Sequence, residues 1–213
     1  MQNKINEITS ALNWRYGTKI FTNRPLEAEA LGSIIESARM APGAYGLQPY
    51  RIIMVKDAAV REALKAAAYG QAKVTDSPEL LVLCRRTDIN EGFINEYVNN
   101  VASTRGIDIA HLSQFADMMK GDILSRDTSN IEGWAGRQAY IALGMMLETA
   151  AVIGVDAGPM EGFNNGKVDE ILGLGELNLA SVCMISLGYR DDSDEYAKHI
   201  KVRADKASFV IEK

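Results

Sequence analysis

The sequence predicts an α+β fold in one domain spanning residues 1–213, and three observations carry that expectation. Segments with helical and with strand periodicity alternate without a regular βαβ rhythm, which disfavours a doubly wound sheet. Neither a glycine-rich P-loop nor a G-x-G-x-x-G element is present. No internal repeat or low-complexity linker divides the 213 residues, and a chain of that length can bury an ample core.

Each element follows from its own pattern. Residues 3–13 place Ile5, Ile8, Ala11 and Leu12 on one helical face, and Gly17 breaks the pattern. A second helix begins near Pro25, a residue suited to a first turn. Leu26, Ala30, Leu31, Ile34, Ile35 and Ala38 repeat along it at threes and fours. It stops near Ala41, because Pro42 disfavours helix before it. Arg51–Val55 reads as a short buried strand, and Asp57 as the cap of a helix running to Ala68. Glu79–Cys84 is another buried strand. Residues 91–130 are polar and predict helix in pieces, with Phe93, Tyr97, Ile107, Leu112, Phe115 and Met119 as apolar points. That stretch reads either as a lid or as an excursion from the main body. Glu132–Ile153 predicts a long helix, apolar on most faces in its second half and therefore buried all round. It serves either one subunit alone or also a partner. Val168–Leu172 is a short helix and Ala180–Leu187 a strand. Ala207–Ile211 is a terminal strand within an arm of about 198–213.

Composition excludes several classes. A net charge of −5 argues against general nucleic-acid binding, which needs a broad basic face. Cys84 and Cys183 sit in apolar runs and read as buried thiols of a reducing compartment, neither a disulfide framework nor a metal site. The start, MQNKINEITS, has no apolar core of a signal peptide. The longest apolar stretch, Ala139–Val155, is interrupted and falls short of a bilayer span of ~20 residues. A cytoplasmic protein without membrane or metal is expected.

Four pieces stand out. KHIKVRADK, from Lys198 to Lys206, carries five basic groups with His199 against one acid. If extended, it points Lys201 and Arg203 to one side, a pairing that suits a phosphate. Near the start, NWRYGTKIF sets Arg15 and Lys19 about Gly17, which permits a tight turn. APGAYGLQPY (41–50) carries two glycines and two prolines on a constrained path. GPMEGF (158–163) places Pro159, Glu161 and Gly162 after the long helix, with Gly162 able to bring its N–H close to a flat ligand. Taken singly, these are most simply a solvated tail, a surface turn, a connecting loop and another turn.

In this order and register they resemble the FMN-dependent nitroreductase family, nearly end to end, and most closely its bacterial oxygen-insensitive NAD(P)H nitroreductases and flavin reductases. The strongest stretch is EGWAGRQAYIALGMMLETAAVIGVDAGPMEGF. The resemblance implies an α+β fold with a central, mostly antiparallel sheet flanked by helices, a long buried helix, and an intertwined homodimer with two FMN sites at its interface. It implies that Arg15, Lys201 and Arg203 hold the FMN phosphate, with Tyr16 and Gly17 contributing beside them. Lys19, Gln71 and Lys73 would reach the pyrimidine edge of the flavin. Pro159 and Met160 would lie along one ring face, and the N–H groups of Glu161 and Gly162 would meet N5 and O4. Lys19, Glu161 and Gly162 are thus the candidates closest to the chemistry. Phe115 aligns with an aromatic lining the substrate channel from the neighbouring subunit.

The sequence also departs from the family pattern. The family loop commonly reads Pro-Ser-Ser-x-Asn-x-Gln-Pro-Trp; here Pro42, Gly43, Ala44, Tyr45 and Gly46 lead to Gln48-Pro49-Tyr50. Both serines and the asparagine are gone, so glycine-enabled backbone contacts with FMN, or Tyr45 filling part of the channel, are the expectations. The implied reaction is a ping-pong transfer from NAD(P)H through FMN to a nitroaromatic, quinone or similar small acceptor. Two histidines, His111 and His199, make histidine acid–base catalysis an unsuitable reading. A flavin reductase, a dehalogenase-like or flavin-destroying relative, and a flavin-binding protein without turnover are the competing readings.

Overall fold

A computed structural model describes residues 1–213. Four strands form one antiparallel sheet in the order β1–β2–β4–β3: β1 (Tyr50–Met54), β2 (Glu79–Arg86), β3 (Asp156–Met160) and β4 (Leu179–Gly188). The helices are α1 (Gln2–Trp14), α2 (Ala28–Arg39), α3 (Ala58–Ala67), α4 (Lys73–Asp76), α5 (Glu91–Arg105), α6 (Ser113–Ile123), α7 (Thr128–Val152), α8 (Asn165–Ile171) and α9 (Lys206–Phe209). No helix is long and apolar enough to cross a membrane.

Alternation along the strands sends side chains into two layers. One layer packs Leu81, Leu83, Cys183 and Ile185 against Ile34 and Ala38 of α2 and Ala139, Ala142 and Met146 of α7. The other packs Leu80, Val82, Cys84 and Met184 against Leu64 of α3 and Val168 of α8. The two cysteines are therefore buried in opposite layers and unbonded, and burial pushes both thiols up to about 12. A third cluster belongs to the excursion: Ile94, Met119 and Ile123 close on Trp134 and Ala135 in the first half of α7. The excursion is thus a packed body seated on that helix.

Several termini are set by identifiable caps. Asp57 accepts from the N–H of Val60 at 2.9 Å, and Asn90 and Asp127 do the same for α5 and α7. Pro25 lies ahead of α2, whose N-cap is Glu27. Three expectations are corrected. The long helix is not buried all round: Tyr140, Ile141 and Val152 stay exposed, as does Ile153 just beyond it. Residues 207–211 form no strand within this chain. Asp205 instead caps the single turn α9. And Asp156–Met160, unassigned in the sequence, is an edge strand paired with β4.

Candidate functional site

The head of the chain, from Arg15 to Phe21, forms no turn at Gly17; it runs along the β3 edge of the sheet. The N–H of Thr18 donates to the carbonyl of Ala157 at 3.2 Å, and Phe21 bridges to Arg190. Gly158 permits this approach, since a β-carbon there would stand 2.6 Å from the Thr18 carbonyl oxygen. Beside it, buried Asp156 accepts from Arg190 Nε at 2.8 Å and from the hydroxyl of Thr18 at 3.3 Å. The Arg190 guanidinium lies over the rings of Trp14 and Tyr16, at 4.1 and 4.6 Å.

A second buried carboxylate, Asp194, ties the head to the C-terminal arm. Its Oδ2 accepts from the Tyr16 hydroxyl at 2.9 Å and from the N–H groups of Lys19 and Ile20 at 2.8 and 3.1 Å. Its Oδ1 accepts from the N–H of Tyr196 at 3.1 Å. Burial alone would raise this carboxyl. The donors from Lys19, Ile20 and Tyr16 outweigh that and hold it below the usual carboxylate range. Burial and the bond to Asp194 push the Tyr16 hydroxyl well above its ordinary value.

From Asp194 the arm leads to Lys201 and Arg203. Lys201 Nζ donates to the carbonyl of Asn13, in the last turn of α1. Burial, then the charges of Arg15, Arg203 and Arg190, lower the Lys201 ammonium. Burial, then Arg203, lowers Arg15, whose buried Nε has no partner. The structure thus brings Arg15, Lys201 and Arg203 together from opposite ends of the chain. A cavity of about 340 Å³ lies between Trp14, Tyr16, His199 and Lys201, so that of the three cations only Lys201 lines it.

Adjacent to this cluster, Lys19 faces Lys73. Lys73 is buried, 3% exposed, and its Nζ donates to the carbonyl of Pro159 at 3.2 Å. Burial, then the Lys19 charge, brings its ammonium down to about 8. Arg61 holds the segment that carries it, through the carbonyl of Val74 at 2.8 Å and the Ser77 hydroxyl at 2.9 Å. Gln71 Nε2 donates to the carbonyl of Gly162 at 2.8 Å. Lys19, Gln71, Lys73, Pro159, Glu161 and Gly162 therefore surround one end of β3. A β-carbon on Gly162 would meet nothing in the chain closer than Gln71 Nε2 at 3.7 Å, so the fold itself does not require glycine there. Met160 is a correction: neighbouring strand residues point to opposite faces, and its side chain is buried with Leu64 and Met184, away from Pro159.

The Pro42–Gly46 loop lies with the excursion instead. The N–H of Ala44 donates to Oε1 of Gln138 on α7 at 2.9 Å, while Gly43 is extended. Tyr45 and Gly46 both adopt positive φ, 58° and 77°. At Gly46 a β-carbon would stand 2.6 Å from the Tyr97 hydroxyl, which donates to the Tyr45 carbonyl at 2.6 Å. The Tyr45 hydroxyl donates to Asp122 at 2.8 Å, and its ring meets Phe115 edge to face at 6.4 Å. Tyr45 and Phe115 are thus brought together. No hydrogen bond joins this loop to the head–tail cluster within the chain. Asp194, Asp156, Gln138 and Asp122 were not singled out in the sequence, because each acts on residues far away along the chain.

Comparison with known proteins agrees with this architecture. The model of the nitroreductase family matches residues 12–189. A Staphylococcus aureus protein, provisionally named an NAD(P)H nitroreductase, is 30% identical over 199 residues, covering 89% of each chain. A provisionally assigned nitroreductase structure from Bacillus subtilis superimposes with a TM-score of 0.81 at 27% identity, covering 98% of this chain and 100% of that one. A provisionally named nitroreductase of Exiguobacterium sibiricum, solved in complex with FMN, has the same TM-score at 18% identity and covers 97% of each chain. With a family match over most of its length, a relative at 30% identity, and the same antiparallel core, this chain belongs to the nitroreductase family.

Proposed function

We propose that the protein is an FMN-dependent oxidoreductase that takes reducing equivalents from NAD(P)H and passes them to nitroaromatics, quinones or similar small acceptors. One observation carries the reading. Arg15 keeps a buried Nε without a partner, beside Lys201 and Arg203, and no carboxylate is bonded to any of the three. Like charges gathered without an acid fit a bound anion, and guanidinium and ammonium donors fit a phosphate. The residues present therefore suit the phosphate of FMN.

When bound, the flavin supplies two-electron chemistry at N5, alternating between NAD(P)H and acceptor in a ping-pong cycle. The chain's own residues bind and orient. Arg15, Lys201 and Arg203 hold the phosphate, with Tyr16 and Gly17 beside them. Lys19 and Lys73 place positive charge at the pyrimidine edge, where preorganised charge is most effective. Gln71 holds the Gly162 carbonyl and so steadies the Glu161–Gly162 segment, whose N–H groups would meet the ring. Pro159 supplies ring contact, with Met160 contributing backbone alone.

The Pro42–Gly46 loop and the Tyr45–Phe115 pair lie with the other helical body of the same chain. A second copy would bring that loop and channel wall to this chain's cluster, the arrangement of a homodimer. The exposed faces of α1 (Ile5, Ile8, Leu12) and of α7 (Ile141, Val152), with Phe209, Val210 and Ile211 of the arm, supply apolar surface for it. The test is the visible spectrum of the purified protein, followed by NAD(P)H oxidation with a quinone. Flavin bands, FMN released on heating, and turnover are expected. A colourless protein that binds no added FMN would overturn the reading, and a flavoprotein without turnover would leave binding alone.

A further inference from the structure

We infer that Asp194 is a positioning residue that docks the C-terminal arm against the head and so assembles the cation cluster that distinguishes a phosphorylated flavin from an unphosphorylated one. The inference rests on the flavin reading above and deepens it.

Asp194 is 1% exposed. A buried carboxylate is costly unless it is hydrogen-bonded, and this one accepts from four donors. Three come from the head, from Tyr16, Lys19 and Ile20; the fourth comes from Tyr196, in the turn that leads into the arm. The bond to the Lys19 N–H fixes the backbone at the residue whose Nζ lies 5.7 Å from the Tyr196 ring. The bond to the Tyr196 N–H caps the short turn Glu195–Lys198, from which the chain runs on to Lys201 and Arg203. Apart from Lys201 itself, no other side chain from residue 194 onward bonds to the first 20 residues. The groups it gathers repel one another: Arg15, Arg190 and Arg203 all act to lower Lys201. Without ligand, something must hold these like charges at close range, and Asp194 is the carboxylate that bonds both sides.

A merely structural Asp194 would affect every ligand alike, whereas an assembler of the phosphate cluster acts mainly through the phosphate, with a lesser effect through the Lys19 backbone that it holds. FMN and riboflavin share the ring and differ in that group. The experiment measures the affinity of the flavin-free protein for each by fluorescence titration, in wild type, Asp194→Asn and Asp194→Ala. Wild type is expected to prefer FMN strongly. Asp194→Ala is expected to lose FMN affinity on the order of 10- to 100-fold, the scale of one or two charge-assisted bonds, with a clearly smaller loss for riboflavin, which shares the Lys19 contact but has no phosphate. Asp194→Asn, which keeps the size and one acceptor oxygen, is expected to lose less and serves if the alanine variant does not fold. Amide exchange at Lys19 and Ile20 without flavin gives an independent readout, and faster exchange is expected in both variants. Equal losses for the two flavins, or a full FMN preference kept by Asp194→Asn, would overturn the inference while leaving the flavin reading intact. A wild type that binds neither flavin would overturn both.

Discussion

The carbonyl oxygen of Thr18 lies 2.6 Å from the position that a β-carbon on Gly158 would occupy. That oxygen is backbone, so it cannot swing aside as a flexible side chain would. Gly158→Ala must push the head away from the sheet, and Lys19 with it. A cost of about 1–3 kcal/mol is expected for such overpacking, roughly 2–10 °C in Tm for a chain of this size. Calorimetry of the flavin-free protein checks it, and weaker FMN binding should accompany the shift.

The proposed phosphate role of Arg15, Lys201 and Arg203 has its own test. Arg203→Ala should weaken FMN by roughly 1.5–3 kcal/mol, the value of a lost charge-assisted bond. Wild-type flavin retention through a desalting column would remove Arg203 from that role.

Lys19 and Lys73 share one edge but are expected to behave differently. Lys19 is exposed, with its backbone held by Asp194. Lys19→Met should slow flavin reduction by NAD(P)H more than it weakens FMN binding, as stopped-flow traces against equilibrium affinity would report.

Lys73 carries a pH signature. Its folded-state ammonium titrates at about 8, against 10.5 ordinarily. Below pH 8 the folded protein holds an unfavourable buried charge. As pH rises from 8 to 10.5 the unfolded chain binds more protons, so the folded state gains stability. Relative to Lys73→Met, wild type should gain on the order of 2 kcal/mol across that window once solvent screening is allowed for. Urea unfolding of the two proteins at pH 7 and 10.5 measures the difference; a constant gap would contradict it.

The arm predicts assembly. Phe209, Val210 and Ile211 are exposed within a single chain. Removing residues 204–213 should shift a dimer toward monomer in sedimentation velocity, with flavin affinity falling in parallel.

How much of this was legible in the sequence depended on the range of the forces involved. Asp57 and Pro42 act on their immediate neighbours, and the boundaries they set are close to those observed. DAGPM was passed over because glycine and proline weaken any strand signal. It is a strand because β4 offers partners and the head needs a residue without a β-carbon. ASFVI has strand-forming side chains but pairs with no strand of its own chain, and Asp205 caps a helical turn there instead. In α7 the apolar pattern could not separate burial inside one chain from a face left open, and Ile141 and Val152 belong to the second kind. Among the site residues, the basic ones stood out by their chemistry. Asp194 did not, since nothing near it in sequence marks a carboxylate three of whose four donors lie more than 170 positions away. Gly17 suits a turn by its own chemistry, whereas the segment about it stays extended because the sheet edge takes up the Thr18 N–H.

The separation of Arg15 from Lys201 and Arg203 along the chain has a consequence for biogenesis. Synthesis proceeds from the amino end, so the first cation of the cluster emerges long before the other two. A nascent or prematurely terminated polypeptide holds one lone guanidinium where the finished one holds three converging charges. On the proposed flavin reading, cofactor loading waits until translation has passed Arg203, and fragments cut short of it compete poorly for flavin.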